Sequence, residues 1–176
     1  MKNITAFAGS NSQSSINKQL ATYASGMLNG QTVEVLDLND YELPLYSIDL
    51  ENEEGIPENA KAFLEKLHAS DGIILSLAEH NGAYSTAFKN IFDWMSRIDG
   101  KLWKEIPMLL MATSPGGRGG SSVLEIAKNR FPYMGGNIVS SFSLPNFYDN
   151  FKGGSISDES LNDQLINAVT TLKENL

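Results

Sequence analysis

The chain contains no cysteine, which excludes disulfides, thiolate zinc sites, cysteine-ligated iron–sulfur clusters and cysteine nucleophiles. Its only two histidines are His68 and His80, too few for a multi-histidine metal site. Basic residues are also scarce: 13 Lys and Arg face 21 Asp and Glu, for a net charge of −8. That balance argues against a nucleic-acid binder, whose electrostatic footprint is a basic surface. No apolar run approaches the ~20 residues of a membrane helix. The opening Ile4–Ala8 stretch is broken by Thr5 and too short for a secretory h-region. These readings predict a cytoplasmic protein without nucleic-acid or membrane partners.

What is present is globular. The chain has 176 residues, 41% of them hydrophobic and 19% charged, which fits one domain spanning residues 1–176. Apolar runs at Ile4–Ala8, Ile73–Leu77 and Pro107–Ala112, with the mixed segments Thr32–Leu38 and Asn137–Phe142, read as strands. Between and after them run stripes at helical spacing: Ile16/Leu20/Ala24/Leu28, Glu58–His68, Ala87/Ile91/Met95/Ile98, Val123/Ala127/Phe131 and Leu161/Leu165/Val169/Leu172. The first, third and fourth strands are continuous rather than alternating runs, so both sheet faces require helical cover. The alternation predicts a three-layer α/β/α sandwich with a five-stranded parallel sheet, flavodoxin-like, of order 2-1-3-4-5. The acidic stretch Asp37–Glu58 reads as a long solvated loop. Phe147–Gly154, with Ile156 and Ser157 beyond it, reads as another, in which Tyr148 and Phe151 are candidate cofactor contacts. Trp94, Met95, Ile98, Leu102 and Trp103 read as core or, given two tryptophans so close together, a partly exposed subunit interface.

In such a sheet ligands gather at the carboxyl ends of the strands, and the loops there carry the unusual chemistry. The first, Gly9–Asn17, is mostly Ser, Asn and Gln at a strand-to-helix junction. A helix N-terminus with free N–H groups and surrounding hydroxyls binds anions; simple N-capping needs only one such residue. Acids avoid this region, with none in residues 1–33 and only Glu125 between Ile106 and Tyr148. The loop lacks the glycine–lysine pattern of a P-loop, no G-x-G-x-x-G occurs, and Ser10 has no nucleophile-elbow context. The second loop, Ala78–Ser85, contains Asn81-Gly82, a pair that tolerates positive φ. The third, Ser114–Ser121, sets Arg118 among four glycines, an arrangement suited to an electron-rich ligand edge, a second phosphate or a flexible turn.

Together the three loops resemble the NAD(P)H-dependent FMN reductase family, flavodoxin-like flavoproteins that include azo-dye and quinone reductases. Gly9-Ser10 through Ser15-Ile16-Asn17 is similar to the family's GSxRxxSxN loop, with Ser12 standing where the family has arginine. Ala78–Ser85 and Lys89–Arg97 resemble its PEYNGSYS…LKNAIDWxSR stretch, with Ala78 and His80 replacing proline and tyrosine. Thr113–Gly120 resembles its glycine-rich loop. The resemblance implies that Ser10, Ser12, Ser15, Ile16 and Asn17 hold the phosphate of FMN. It places Glu79, His80, Asn81 and Gly82 along the flavin ring, and Ser114, Gly116, Gly117 and Arg118 at its pyrimidine end. It implies hydride transfer from NADH or NADPH through flavin N5 to a small-molecule acceptor: free flavin, a quinone or an azo compound. No side chain is required as a catalytic acid or base, and no metal enters. The family also implies a homodimer or homotetramer. An FMN-binding electron carrier, or a scaffold that no longer holds FMN tightly, are the competing expectations.

Overall fold

A strand covered on both faces must be apolar throughout, and the central strands are. In the computed structural model, which describes residues 1–176, β1 (Asn3–Gly9), β3 (Gly72–Leu77) and β6 (Pro107–Thr113) are buried almost from end to end. β2 (Thr32–Leu36) and β7 (Asn137–Leu144) flank them and are more exposed, as edge strands should be. All five are parallel, in the order β2-β1-β3-β6-β7. Counting parallel strands alone, this is the expected 2-1-3-4-5.

α1 (Ile16–Gly26) and α7 (Glu159–Glu174) cover one face of the sheet, burying Leu20, Ala24, Leu165 and Leu172 against Ile4, Ile74 and Leu109. α3 (Glu58–His68), α4 (Thr86–Ile98) and α5 (Ser121–Arg130) cover the other, where Phe63, Phe88, Phe92 and Phe131 pack on Phe7, Leu75 and Leu110. Two separate apolar clusters, one per face, account for the near-continuous hydrophobicity of the central strands β1, β3 and β6.

Two expectations are corrected, and a third, core against interface at the two tryptophans, is decided for core. The acidic Asp37–Glu58 stretch is not a solvated loop. It holds a 3₁₀ turn at Leu38–Asp40 with Leu38 buried, then α2 (Ile48–Glu54), which Ser47 caps by accepting from Leu50 N–H. One face of α4 fastens the segment: Asn90 bonds the backbone of Tyr46 and Pro44, Trp94 Nε1 donates to Pro44 O at 2.8 Å, and Arg97 pairs with Glu51. Composition shows the charges but not these tertiary partners. Trp94 and Trp103 are fully buried within the chain, so they form no subunit interface, although Ile98 is 40% exposed. The segment before the closing helix is likewise ordered, as α6 (Phe147–Asn150) and the hairpin β8 (Phe151–Lys152)–β9 (Ser155–Ile156). Phe151 anchors it by stacking on Phe147 at 4.8 Å and meeting Tyr23 edge-on at 5.7 Å. No helix is long and apolar enough to cross a membrane.

Candidate functional site

Strands β1, β3 and β6 stop level with one another, since Gly9 pairs with Leu77 and Leu77 with Ala112. The loops that follow therefore share one rim. Each pair of loops is joined by a hydrogen bond.

Asn17, on the first turn of α1, joins the first loop to the third. Its side chain is 2% exposed; Nδ2 donates to Thr113 O at 3.2 Å, and Oδ1 accepts from Thr113 N at 3.0 Å and Ser76 Oγ at 2.8 Å. Ser85 joins the second loop to the first. It caps α4 by accepting from Phe88 N and donates its hydroxyl to Gly9 O at 2.7 Å. Glu79 joins the second loop to the third. It lies on β4 (Glu79–His80), which forms a hairpin with β5 (Ala83–Tyr84) through Asn81 and Gly82, both at positive φ. The Glu79 carboxylate accepts from Val123 N at 3.0 Å, at the start of α5. Gly120, the residue before α5, has no side chain to do that work.

Gly119 shows why the third loop is glycine-rich. At φ +57°, a Cβ there would sit 2.4 Å from Ser143 Oγ and 2.9 Å from Pro145 N. The bare backbone instead lets Gly119 O accept from Ser143 at 2.9 Å.

The helices that start at the rim differ in what covers their N-termini: α4 is capped by Ser85. α5 already has a carboxylate on it, from Glu79. α1 has none. Ser15 Oγ caps Lys18 N at 3.1 Å and Ser10 Oγ accepts from Ser12 N at 3.2 Å. The backbone N–H groups of Ser14, Ile16 and Asn17 have no acceptor within the chain. Both hydroxyls accept in those bonds, so their protons remain available. Three unpaired N–H groups, free hydroxyls and the positive end of a helix dipole form a receptor for an anion. Lys18 supplies little charge to the loop, because its ammonium pairs with Asp37. Burial raises the Asp37 pKa, but bonds from Lys18 and Asn39 outweigh it and hold the carboxyl below its usual range.

An open cleft of about 260 Å³ occupies this rim. From the first loop it is lined by Ser10, Ser12, Ser15, Ile16 and Asn17, all anticipated, and by Ser14. Ala78, Glu79 and His80 line it from the second. From the third loop it takes Ser114 with Thr113 and Pro115, and Tyr148 of α6 closes one end, 65% exposed. Asn81 and Gly82 lie instead at the hairpin tip, and Gly116, Gly117 and Arg118 on an exposed turn where Arg118 donates to Ser122 Oγ at 2.8 Å. Two supporting residues, Ser76 and Ser85, escaped sequence reasoning. A lone serine inside the apolar run Ile73–Leu77 was the available signal for the first.

Residues 2–149 match the family model described as NADPH-dependent FMN reductase. An uncharacterized protein of Mycoplasma pneumoniae is 31% identical over 146 residues, covering 80% of this chain and 86% of the relative. The quinone reductase of Escherichia coli is 32% identical over 80 residues, 46% of this chain and 43% of its own, so that match spans less than half of either. Among solved structures, the flavoenzyme NAD(P)H:(acceptor) oxidoreductase FerB of Paracoccus denitrificans superposes with a TM-score of 0.74 at 26% identity, covering 99% of both chains. The chain belongs to the NADPH-dependent FMN reductase family.

Proposed function

We propose that the protein passes electrons from NADH or NADPH to a quinone or free flavin, with FMN held by the three-loop rim. Family membership makes it an FMN-using, NAD(P)H-dependent oxidoreductase; the acceptor and the roles of individual residues are our reading. The uncommitted N–H groups at the start of α1, in a stretch of chain free of acids, carry it.

These donors suit a phosphate monoester. Ser14, Ile16 and Asn17 offer backbone N–H groups, and Ser10, Ser12 and Ser15 offer hydroxyls. Asn17 contributes its backbone N–H, while its amide fixes the loop against β6. When bound, FMN supplies hydride acceptance and two-electron donation. Ala78, Glu79 and His80 form one wall for the ring system, Thr113–Pro115 the other, and Tyr148 one end. The backbone of these walls provides fixed dipoles for charge developing at the ring edge. No acid–base side chain is required. A carrier protein would shield such a ring with tryptophan or tyrosine; both tryptophans here are buried, and although Tyr148 is among the cleft's lining residues, His80 and the glycine-rich third loop favour an open site where nicotinamide and acceptor alternate. The quinone reductase relative supports a quinone as acceptor.

The reading extends to a homodimer or homotetramer, tested by light scattering, where a monomer mass overturns it. The functional test mixes protein, FMN and NADPH without oxygen. Rapid bleaching at 450 nm, reversed by a quinone, is expected. Saturable FMN binding without bleaching would instead identify a carrier, and no saturable binding would sink the assignment of the rim.

A further inference from the structure

His80 lines both the cleft and a second hollow, of about 320 Å³. That hollow shares Asn11, Leu43, Ala87 and Asn90 with a third, of about 490 Å³, which reaches Leu38, Tyr41, Glu42 and Ile91. Together they form one groove from the rim to the acidic segment after β2. The wall that this segment supplies is fixed. Glu42 O accepts from Asn59 Nδ2 at 3.0 Å and Pro44 O from Asn90 Nδ2 at 3.0 Å. The Tyr41 ring stands edge-on to Phe63 at 5.0 Å. The Glu42 side chain itself is exposed and in no ion pair. Residues 37–58 contain eight acids and no Lys or Arg. No Lys or Arg lines either hollow, and every one on α1, α3 and α4 is already paired with an acid.

A nicotinamide placed against the ring wall at His80 has the rest of its dinucleotide to accommodate, and this groove opens from the same wall. The groups met along it are the Asn11 amide, then the apolar surface of Leu43, Ala87 and Ile91, then Tyr41 with the Glu42 carboxylate beside it. Resting on the reading of the rim as a flavin site, we propose that the groove takes the adenosine end of the dinucleotide and that Glu42 makes NADH the preferred reductant. The adenine lies on the apolar floor against Tyr41. Glu42 accepts from the ribose hydroxyls, as an acidic residue does in other dinucleotide sites. A 2′-phosphate adds about 1.5 to 2 negative charges, which this groove meets with a carboxylate and no cation. NADPH still reaches the flavin, but only at higher concentration.

The test measures dissociation constants of ADP-ribose and 2′-phospho-ADP-ribose by calorimetry in the presence of FMN, alongside kcat/KM for NADH and NADPH. Wild type is expected to bind ADP-ribose at least about fivefold more tightly than its 2′-phosphate, with the same preference in kcat/KM. Glu42→Lys, at an exposed position, is expected to lower both ratios by at least about tenfold, since it replaces repulsion with attraction. Glu42→Gln, which keeps the shape and removes the charge, is expected to lower them by at least about twofold. A smaller preference in wild type overturns the proposal, as does a smaller change in either variant. Should Glu42→Lys not fold, Glu42→Gln decides alone. Failure of both dinucleotides to bleach the flavin is a separate result. It removes the oxidoreductase reading, while the ADP-ribose ratio still decides the groove.

Discussion

The carboxylate of Glu79 accepts the backbone N–H of Val123 at 3.0 Å across 44 residues of sequence. A residue of the hairpin thus serves as the N-cap of α5 and sets the spacing between two walls of the cleft. Glu79→Ala is expected to cost about 1 kcal/mol of stability, the usual loss of a cap, and to weaken FMN binding with it. Glu79→Gln keeps an acceptor oxygen and should restore most of both. Denaturant midpoints and FMN titration check this; equal behaviour of the two variants would mean that charge rather than the hydrogen bond matters.

Asn17 is bound to two strands at once. Asn17→Ala leaves Ser76 Oγ and Thr113 N buried without partners, an expected loss of about 2–4 kcal/mol. Asn17→Asp keeps the two acceptor bonds but sets a negative charge against Thr113 O and beneath the phosphate. It should unfold later than Asn17→Ala yet bind FMN at least about tenfold more weakly than wild type. Thermal melts with FMN titration separate the two effects, and unchanged affinity in Asn17→Asp places the phosphate elsewhere.

The phosphate loop has no free cation, because Ser12 carries none and Lys18 is paired with Asp37. Ser12→Arg should therefore tighten FMN by about tenfold through a charge-assisted bond, with the gain shrinking as salt rises. Riboflavin, which lacks the phosphate, should show no gain. Titration at low and high ionic strength measures it.

Tyr84 anchors the hairpin in an aromatic cluster with Phe88 and Phe131. Its hydroxyl is buried without a partner, and burial pushes its pKa up to about 12, slightly opposed by Arg130. The folded pKa lies above the unfolded value, so this stabilising contribution is complete below pH ~10 and is lost as pH rises toward ~12. Tyr84→Phe should hold its stability better through that window and cost little near neutrality, since no hydrogen bond is removed. Alkaline titration at 295 nm should show one tyrosine fewer ionising late.

The parallel sheet, its strand order and the rim that carries the site followed from local pattern. Near-continuous apolar central strands demand helices on both faces, and the Ser–Asn-rich and Gly-rich junctions mark where backbone and small polar groups can meet a ligand. Avoidance of acid through residues 1–33 was equally visible, because charge needs no fold to be counted. The division of labour within the rim was not visible. Asn17 could be a ligand donor or a brace, Glu79 a ring neighbour or a cap, and Trp94 core or interface. Those choices turn on partners 44 to 96 residues away, and sequence spacing constrains only neighbours within a turn or two. The order within Asp37–Glu58 likewise comes from Asn90, Trp94 and Arg97 reaching across from α4, bonds that exist only once the chain has folded.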